Sequence, residues 1–310
     1  MSVSQVTENN KENNKNKLHI GKPSWLKTRI PTGKTFFDIK KDLRGRKLAT
    51  VCEEAKCPNI GECWNTRTAT FMVLGDTCTR ACRFCNIKTG NPAGFLDKEE
   101  PEQVAKSSKL MKLKYVVITM VDRDDLEDGG AAHVAEVMRK VKEENPGIVV
   151  ELLAGDFAGS IDAVNLIANT GVEVYAHNIE TVERLSPRVR DRRADYRQSL
   201  EVLKHVKKEA KHSILTKSAL MLGLGEEKDE VIQSLKDLRE AGVDLVTIGQ
   251  YMKPSKKHLS IKRWVTPVEF DEYATIAKEL GFKGVASKPL VRSSYMAADF
   301  YEKATGVKIS

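Results

Sequence analysis

The fold is decided by the stretch TFMVLGDTCTRACRFC, which runs from Thr70 to Cys85. Its first five residues, up to Leu74, form an apolar run of the length and composition that predict a buried strand. The loop after this run carries Cys78, Cys82 and Cys85 with the spacing CxxxCxxC. In parallel α/β folds the functional face lies at the carboxyl ends of the strands. The stretch therefore places three soft metal ligands on that face.

All six cysteines of the chain fall between Cys52 and Cys85, and the 225 residues that follow contain none. A second triplet, Cys52, Cys57 and Cys63, has the spacing CxxxxCxxxxxC. Cysteines used as small core residues would not cluster in this way. Structural zinc takes four protein ligands, and neither triplet supplies four cysteines. Two 4Fe–4S clusters fit the number better, and three thiolates on one loop would leave the fourth iron of a cluster open to a substrate.

From Thr70 onward, apolar runs alternate with amphipathic ones. Strands are predicted at Thr70–Leu74, Tyr115–Met120, Ile148–Leu153, Val172–Ala176, Leu215–Leu222, Val243–Gly249 and near Phe282–Ala286. Helices are predicted at Pro101–Lys112, Ala131–Glu144, Ile161–Asn169, Tyr196–Glu209, Asp229–Ala241 and Pro267–Leu280. Such alternation builds a parallel sheet with right-handed crossovers. We predict an α/β fold, a partial (βα)6-type TIM-like barrel with an N-terminal cluster-binding extension and a C-terminal capping segment.

The composition divides the chain into four parts. Residues 1–20 are rich in Asn, Lys and Glu, which predicts a disordered, basic and polar arm. Residues 21–69 hold the first cysteine triplet and predict a compact, irregular lobe organised by its ligands. Residues 70–288 form the predicted barrel. Residues 289–310 form the final segment, which contains the sequence RSSY.

The net charge of +8 is confined to the N-terminal part of the chain. Residues 1–50 hold nine Lys and three Arg against two Glu and two Asp, and the remaining residues are net neutral. A solubilising tail and an electrostatic contact with an acidic partner explain this equally well.

No apolar run approaches the roughly 18 residues of a membrane helix, and the N-terminus has no apolar signal core. Residues 1–17 contain two Glu and no Arg, unlike a mitochondrial transit peptide. We therefore expect a reducing, cytoplasmic location, no membrane contact, and cysteines that bind metal.

The motif CTRACRFC, with Phe84 directly before its last cysteine, resembles that of the radical S-adenosylmethionine (SAM) superfamily. The resemblance implies that the open iron binds SAM, whose reductive cleavage yields a 5′-deoxyadenosyl radical that abstracts hydrogen from an unactivated C–H bond. It also implies SAM contacts at the ends of later strands, for which the candidates are Thr119, Asn178, Glu180, Gly223 and Gly225, with Phe84 beside the cluster. The two glycines are explained equally well by a strand-to-helix turn.

The sequence VCEEAKCPNIGECW at residues 51–64 and the sequence RSSY at 292–295 resemble motifs of the lipoyl synthases. The resemblance implies that Ser294 is the fourth ligand of an auxiliary 4Fe–4S cluster on the first cysteine triplet, with Arg292 close to it. Without the family, Ser293 and Ser294 would be read as ordinary polar loop residues.

The family activity implied is the insertion of two sulfur atoms, donated by the auxiliary cluster, at carbons 6 and 8 of a protein-bound octanoyl chain. Implied partners are octanoylated lipoyl carrier domains, which are the glycine-cleavage carrier protein and the E2 domains of 2-oxo-acid dehydrogenases, and an electron donor such as flavodoxin or ferredoxin. The resemblance also implies a monomer that binds no nucleic acid. Basic residues of the N-terminal part are candidates for steering an acidic carrier: Lys22, Lys27, Arg29, Lys34, Lys40 and Lys41.

Three alternatives remain at this point. A radical SAM methylthiotransferase also pairs two clusters but usually carries a nucleic-acid-binding domain, for which no room follows residue 295. A biotin-synthase-like sulfur insertion is disfavoured by the RSSY sequence. A zinc-stabilised nucleic-acid-binding module predicts a colourless protein with bound zinc.

Overall fold

One sheet of eight strands organises the molecule. The structure is a computed structural model, and it describes residues 21–27, 33–46, 48–65 and 70–309, so the predicted arm of residues 1–20 lies outside the described residues. The strands are β1 (Ala49–Thr50), β2 (Thr70–Val73), β3 (Tyr115–Met120), β4 (Val149–Leu153), β5 (Val174–Ala176), β6 (Leu215–Leu222), β7 (Leu245–Gln250) and β8 (Gly284–Ser287). They lie in the sheet in chain order. Strand β1 is antiparallel to β2, and every later pair is parallel.

Helices connect consecutive parallel strands. The α-helices are α1 (Lys34–Gly45), α2 (Val51–Glu54), α3 (Ile60–Asn65), α4 (Glu100–Leu110), α5 (Ala131–Glu144), α6 (Ile161–Ala168), α7 (Ser186–Val189), α8 (Tyr196–Glu209), α9 (Lys228–Glu240), α10 (Pro267–Glu279) and α11 (Ala297–Thr305). Short 3₁₀ helices lie at Ser24–Leu26, Phe157–Gly159 and Glu183–Leu185, and a two-stranded pair joins Thr77–Cys78 to Lys88–Thr89. Six βα units from β2 to α10 lead into β8, which confirms the predicted partial (βα)6 barrel.

The helix starts follow from local sequence chemistry. Thr266 and Glu269 form a capping box at the start of α10, with Pro267 in the first turn. Asp195 accepts a hydrogen bond from the amide of Gln198 and so caps α8. These signals explain why the predicted helix bounds lie within two residues of the observed ones.

The prediction of an irregular lobe at residues 21–69 is wrong, because its described residues include the helices α1, α2 and α3. Helix α1 buries Phe36, Ile39 and Leu43, which repeat at helical spacing on one face. The ring of Phe36 lies 5.0 Å from that of the fully buried Trp64. Apolar packing therefore organises the described part of this lobe.

The amino-terminal end of the barrel is closed by α11. Phe300 packs with Val174 and Leu245, and Ala297 packs with Tyr115 and Val117. The final segment thus caps the barrel, as predicted, but as a helix that the sequence analysis did not identify. In the described part of the chain, no helix has both the length and the apolar character needed to cross a bilayer.

A buried ionic network lies inside the barrel near this closed end. The Lys217 ammonium donates a hydrogen bond to Glu151 Oε1 at 2.7 Å, and both side chains are 1% exposed. Tyr115 Oη donates to Glu151 Oε2 at 2.5 Å. The Lys217 Nζ also lies 5.6 Å from the centre of the Phe300 ring. The network ties three strands and α11 together, since its members lie on β3, β4, β6 and α11.

Candidate functional site

A cavity of about 610 Å³ opens at the carboxyl ends of the strands. Residues near the ends of successive strands line it, among them Thr119, Leu153, His177, Met221 and Gln250. Its volume lies within the range of small-molecule and cofactor sites, which is roughly 300–1,000 Å³. The sheet thus presents one deep site on the face where parallel barrels carry out chemistry.

The cysteines of the CxxxCxxC loop all line this cavity. The amide of Arg80 donates to Cys78 Sγ at 3.4 Å, and the amide of Asp191 donates to Cys82 Sγ at 3.2 Å. The amide of Cys85 donates to the carbonyl of Cys82 at 3.0 Å. Backbone donors aimed at sulfur stabilise thiolate ligands, so the loop is arranged to present three sulfurs.

A set of ion pairs holds this loop against the barrel. The buried Arg80 guanidinium contacts Asp156 at 2.7 Å and Asp124 at 2.9 Å. The Asp191 carboxylate accepts the amide of Ala81 at 2.8 Å. Sequence reasoning missed Asp156 and Asp191, because they lie 76 and more residues from their partners and no local pattern marks such contacts.

The other triplet lies in a smaller neighbouring cavity, lined also by Arg292, Ser294 and Tyr295. Helices α2 and α3 carry Cys52 and Cys63, and Cys57 lies between them. The RSSY segment is held here by two side-chain contacts: Asn59 Nδ2 donates to the carbonyl of Leu290 at 2.8 Å, and Tyr295 Oη lies 3.2 Å from both carboxylate oxygens of Glu62. The structure therefore brings Ser294 to the three cysteines from a distance of more than 230 residues in sequence.

Arg292 lines both cavities, so the two triplets are close neighbours. Its Nη1 donates to the carbonyl of Gln250 at 3.1 Å and to that of Val291 at 2.8 Å. Gly249 allows this approach, since a Cβ there would lie 2.1 Å from the Val291 carbonyl oxygen. The arginine thus stands in the wall between the two sets of sulfurs.

The cysteines are free thiols in an environment that opposes their ionisation. Burial raises the pKa of Cys52 and Cys85 to about 11 and the pKa of Cys63 and Cys82 to about 12. It also raises the pKa of Cys57 and Cys78.

A bound iron centre would supply the positive charge that these thiolates lack, because a coordinating thiol is deprotonated by the metal itself. Buried soft donors in two sets therefore fit iron–sulfur clusters. In the described ranges, no three Cys, His, Asp or Glu side chains are arranged around a single metal ion.

Four residues predicted to lie near SAM line the large cavity, namely Phe84, Thr119, Asn178 and Glu180. Asn178 Nδ2 donates to Glu180 Oε1 at 3.0 Å. The buried Asn178 Oδ1 has no hydrogen-bond partner among the described residues. Glu180 adopts a φ of 65°, which is uncommon for a non-glycine residue. An unpaired acceptor and a strained backbone at one point of a cavity are features of ligand sites.

Gly223 and Gly225 do not line this cavity, contrary to the predicted cofactor contact. Their amides both donate to the Glu226 carboxylate, at 2.6 Å and 3.1 Å. Gly223 has a φ of 98°, and a Cβ there would lie 2.1 Å from Gln250 Nε2. The glycines are therefore required by a tight turn, which was the alternative explanation.

Comparisons with known proteins agree with this geometry. A family model described as the radical SAM superfamily matches residues 72–238, and one described as the N-terminal domain of lipoyl synthase matches residues 2–57. The mitochondrial lipoyl synthase of Schizosaccharomyces pombe is 55% identical over 92% of this chain and 78% of its own length. That of Candida tropicalis is 56% identical over 90% of this chain and 75% of its own length.

The chain belongs to the lipoyl synthase family. Its fold also resembles that of the FeFe-hydrogenase maturase HydG from Carboxydothermus hydrogenoformans, with a TM-score of 0.56 at 12% identity over 89% of this chain and 61% of that one. Lipoyl synthase is an enzyme, and the radical SAM superfamily implies a 4Fe–4S cluster and SAM. The alternatives of a methylthiotransferase, a biotin-synthase-like enzyme and a zinc-stabilised binding module are therefore wrong.

The predicted cytoplasmic location is also wrong, because the lipoyl synthases that match this chain are named mitochondrial enzymes. They point to mitochondria.

Proposed function

We propose that this lipoyl synthase inserts two sulfur atoms at carbons 6 and 8 of an octanoyl-lysine on a carrier domain. The observation that carries the proposal is the pair of adjoining cavities, each lined by its own cysteine triplet and both bordered by Arg292. A carbon radical formed in one cavity must reach a sulfur atom held in the other, so the two sites have to be neighbours.

In this proposal Cys78, Cys82 and Cys85 hold one 4Fe–4S cluster, and Cys52, Cys57, Cys63 and Ser294 hold the auxiliary cluster. When bound, the first cluster and SAM supply hydrogen abstraction, and the auxiliary cluster supplies sulfur. Ser294 is a hard oxygen donor among soft sulfurs, which makes it the ligand most readily released.

The chain's own residues bind, orient and exclude water. Asn178 and Glu180, with Thr119 across the cavity, offer polar groups to the cofactor, while Leu153 and Met221 offer apolar walls to an alkyl chain. Arg292 contributes a half-buried positive charge beside Cys57, which opposes the negative charge of a thiolate-bound cluster. Closure of the lower end by α11 keeps bulk water from that side.

The proposed domain organisation follows the sequence divisions. Residues 21–69 are an auxiliary-cluster lobe, residues 70–288 are the radical SAM barrel, and residues 289–310 are a C-terminal segment that supplies Ser294 and caps the barrel.

The proposed protein substrates are octanoylated lipoyl carriers such as the glycine-cleavage carrier protein or a 2-oxo-acid dehydrogenase E2 domain. Lys22 and Lys56 line the cavity from the N-terminal lobe and would meet an acidic carrier there. Lys40 lies 3.9 Å from Glu53 and is therefore partly neutralised. Of the other predicted steering residues, Arg29 lies outside the described residues and the side chain of Lys34 is not described, while Lys27 and Lys41 are exposed.

The test is a single anaerobic assay with SAM, dithionite and an octanoylated carrier domain. The proposal expects two added sulfur atoms by mass, released 5′-deoxyadenosine, and about eight irons per chain, as two four-iron clusters require.

Matched variants separate the two cysteine sites. Cys78→Ser should abolish 5′-deoxyadenosine, whereas Cys52→Ser should still form 5′-deoxyadenosine without adding sulfur. If Cys52→Ser still yields the doubly sulfurated carrier, the assignment of the auxiliary site is wrong.

A further inference from the structure

A second basic surface lies outside the N-terminal part of the chain. The loop from Tyr251 to Thr266, between β7 and α10, is named here the basic loop. It contains five basic residues and no acidic one: Lys253, Lys256, Lys257, Lys262 and Arg263. Arg263 is paired with Glu269 at 2.5 Å. Lys256 and Lys257 are exposed and form no ion pair within the part of the chain that the structure describes. Because the chain beyond residue 50 is net neutral, this is a local concentration of positive charge.

The basic loop is attached directly to the cysteine loop. His258 Nε2 lies 2.8 Å from the carbonyl oxygen of Cys85, and Ser255 Oγ lies 2.8 Å from His258 Nδ1. A carbonyl can only accept, so Nε2 carries a hydrogen and donates it to Cys85. The amide of Leu259 donates to the carbonyl of Arg83 at 3.4 Å. Lys256 and Lys257 thus lie between Ser255 and His258, and His258 is hydrogen-bonded directly to the carbonyl of Cys85, a proposed cluster ligand.

Apolar contacts also join the basic loop to the loop that carries Cys78, Cys82 and Cys85. Phe84, Leu259 and Ile261 all pack against the same core cluster, which contains Tyr251 and Val265. Tyr251 Oη donates to the carbonyl of Leu259 at 3.0 Å. The path from the exposed lysines to the cysteine loop is therefore short, packed and hydrogen-bonded.

We propose that the basic loop is the docking surface for an acidic one-electron carrier protein that reduces the cluster on Cys78, Cys82 and Cys85. This inference rests on the proposed function, because SAM cleavage needs one electron from outside. The donor loses one electron and the cluster gains it, with no bond formed or broken and no proton moved. Electron tunnelling weakens exponentially with distance, so a donor must dock where the protein between it and the cluster is thinnest. Small, charge-guided interfaces are typical of such transient redox encounters.

The same loop fits the carrier domain less well. A carrier must cover the mouth of the large cavity, and of the basic loop's lysines only Lys253 lines that cavity. Lys22 and Lys56 line it from the N-terminal lobe. Lys256 and Lys257 are exposed but do not line the cavity, so a donor can dock on them while the carrier occupies the entrance.

The test compares two doubly substituted proteins with the same change in net charge. Lys256→Glu/Lys257→Glu reverses the proposed surface. Lys278→Glu/Lys303→Glu is the control, because these exposed lysines lie on α10 and α11, away from the cavity. The probe is a reduced acidic [2Fe–2S] ferredoxin. Its dissociation constant and the rate constant of cluster reduction, followed by stopped-flow absorbance, are measured at low and high salt.

Reversal of the basic loop should weaken binding and slow ferredoxin-driven reduction roughly tenfold at low ionic strength, with the difference shrinking at high salt. The control pair should change both values less than twofold. Reduction by dithionite, which needs no docking surface, should proceed at the same rate in all three proteins. If the reversed protein fails to fold, the variant Lys256→Gln/Lys257→Gln replaces it. This variant should bind ferredoxin about threefold more weakly, and ferredoxin should reduce it about threefold more slowly, at low ionic strength.

Equal ferredoxin rates in the reversed and control proteins would overturn the proposal. So would a raised KM for the octanoylated carrier under dithionite with an unchanged ferredoxin rate, which would assign the loop to the carrier. Failure of the proposed function is distinct, since it would appear as absent sulfur insertion in the unsubstituted protein with dithionite.

Discussion

Substitution of Lys217 by methionine tests the buried network at the closed end of the barrel. The change keeps most of the apolar stem and removes the ammonium that lies 2.7 Å from Glu151. Glu151 would keep the hydrogen bond from Tyr115 but lose its compensating charge at a site that is 1% exposed. Removing one partner of a buried pair typically costs about 3–5 kcal/mol. Because Tyr115 remains, we expect a loss near the lower limit, about 3 kcal/mol.

The double variant Lys217→Met/Glu151→Gln supplies the decisive comparison. The glutamine side chain can still accept from Tyr115, and no uncompensated charge remains, so the double variant should be more stable than Lys217→Met alone by about 1–2 kcal/mol. For a chain of 310 residues, with about 2.1 cal/mol/K of unfolding entropy per residue, about 3 kcal/mol corresponds to a fall of roughly 5 °C in the midpoint of thermal unfolding.

Thermal unfolding followed by circular dichroism at pH 7.5, with urea unfolding of the same preparations, measures both effects. Lys278→Met, on the exposed face of α10, is the control and should change the free energy of unfolding by less than about 0.5 kcal/mol. A loss below about 1 kcal/mol for Lys217→Met, or a double variant no more stable than Lys217→Met, would refute the view that the pair is energetically coupled.

Three further predictions concern the site. Burial lowers the pKa of His177 to about 4, below its unfolded value of about 6.5. The contribution of His177 to stability is therefore complete above pH 6.5 and is lost as the pH falls toward 4. His177→Gln should remove up to about 3 kcal/mol of this pH dependence, as measured by urea unfolding at several pH values. Gly223→Ala places a Cβ 2.1 Å from Gln250 and should lower the free energy of unfolding by more than about 2 kcal/mol, whereas Gly225→Ala, whose nearest contact is 3.6 Å away, should cost less. Asp191→Ala removes a 2.8 Å hydrogen bond from the cysteine loop and should speed iron loss to a chelator about tenfold, and unchanged iron release would show that this contact does not hold the loop.

The barrel and the cysteine loop could be predicted because their signals are local. An apolar run followed at once by CxxxCxxC sets the loop at the carboxyl end of β2, whatever the rest of the chain does. The β–α alternation is likewise visible in windows of about ten residues, and capping residues such as Thr266 and Glu269 mark helix starts.

Other parts of the site depend on contacts between distant segments. The proximity of Ser294 to Cys52 came from the family resemblance, because no spacing rule relates positions so far apart. The partnership of Arg80 with Asp156 has no local signature either. Helix α1 was missed since its buried apolar face is only three residues long and most of its remaining positions are charged, and its stability comes from packing on Trp64.

Helix α11 closes the amino-terminal end of the barrel, so the large cavity is entered from the carboxyl ends of the strands. Any long acyl arm that enters between the strand ends must withdraw by the same route, still tethered to its carrier. Entry and exit cannot then proceed concurrently, so each carrier blocks the next until it leaves. Substitutions in α11 that weaken its packing on the strands should therefore let water reach the cavity from the amino-terminal end of the barrel.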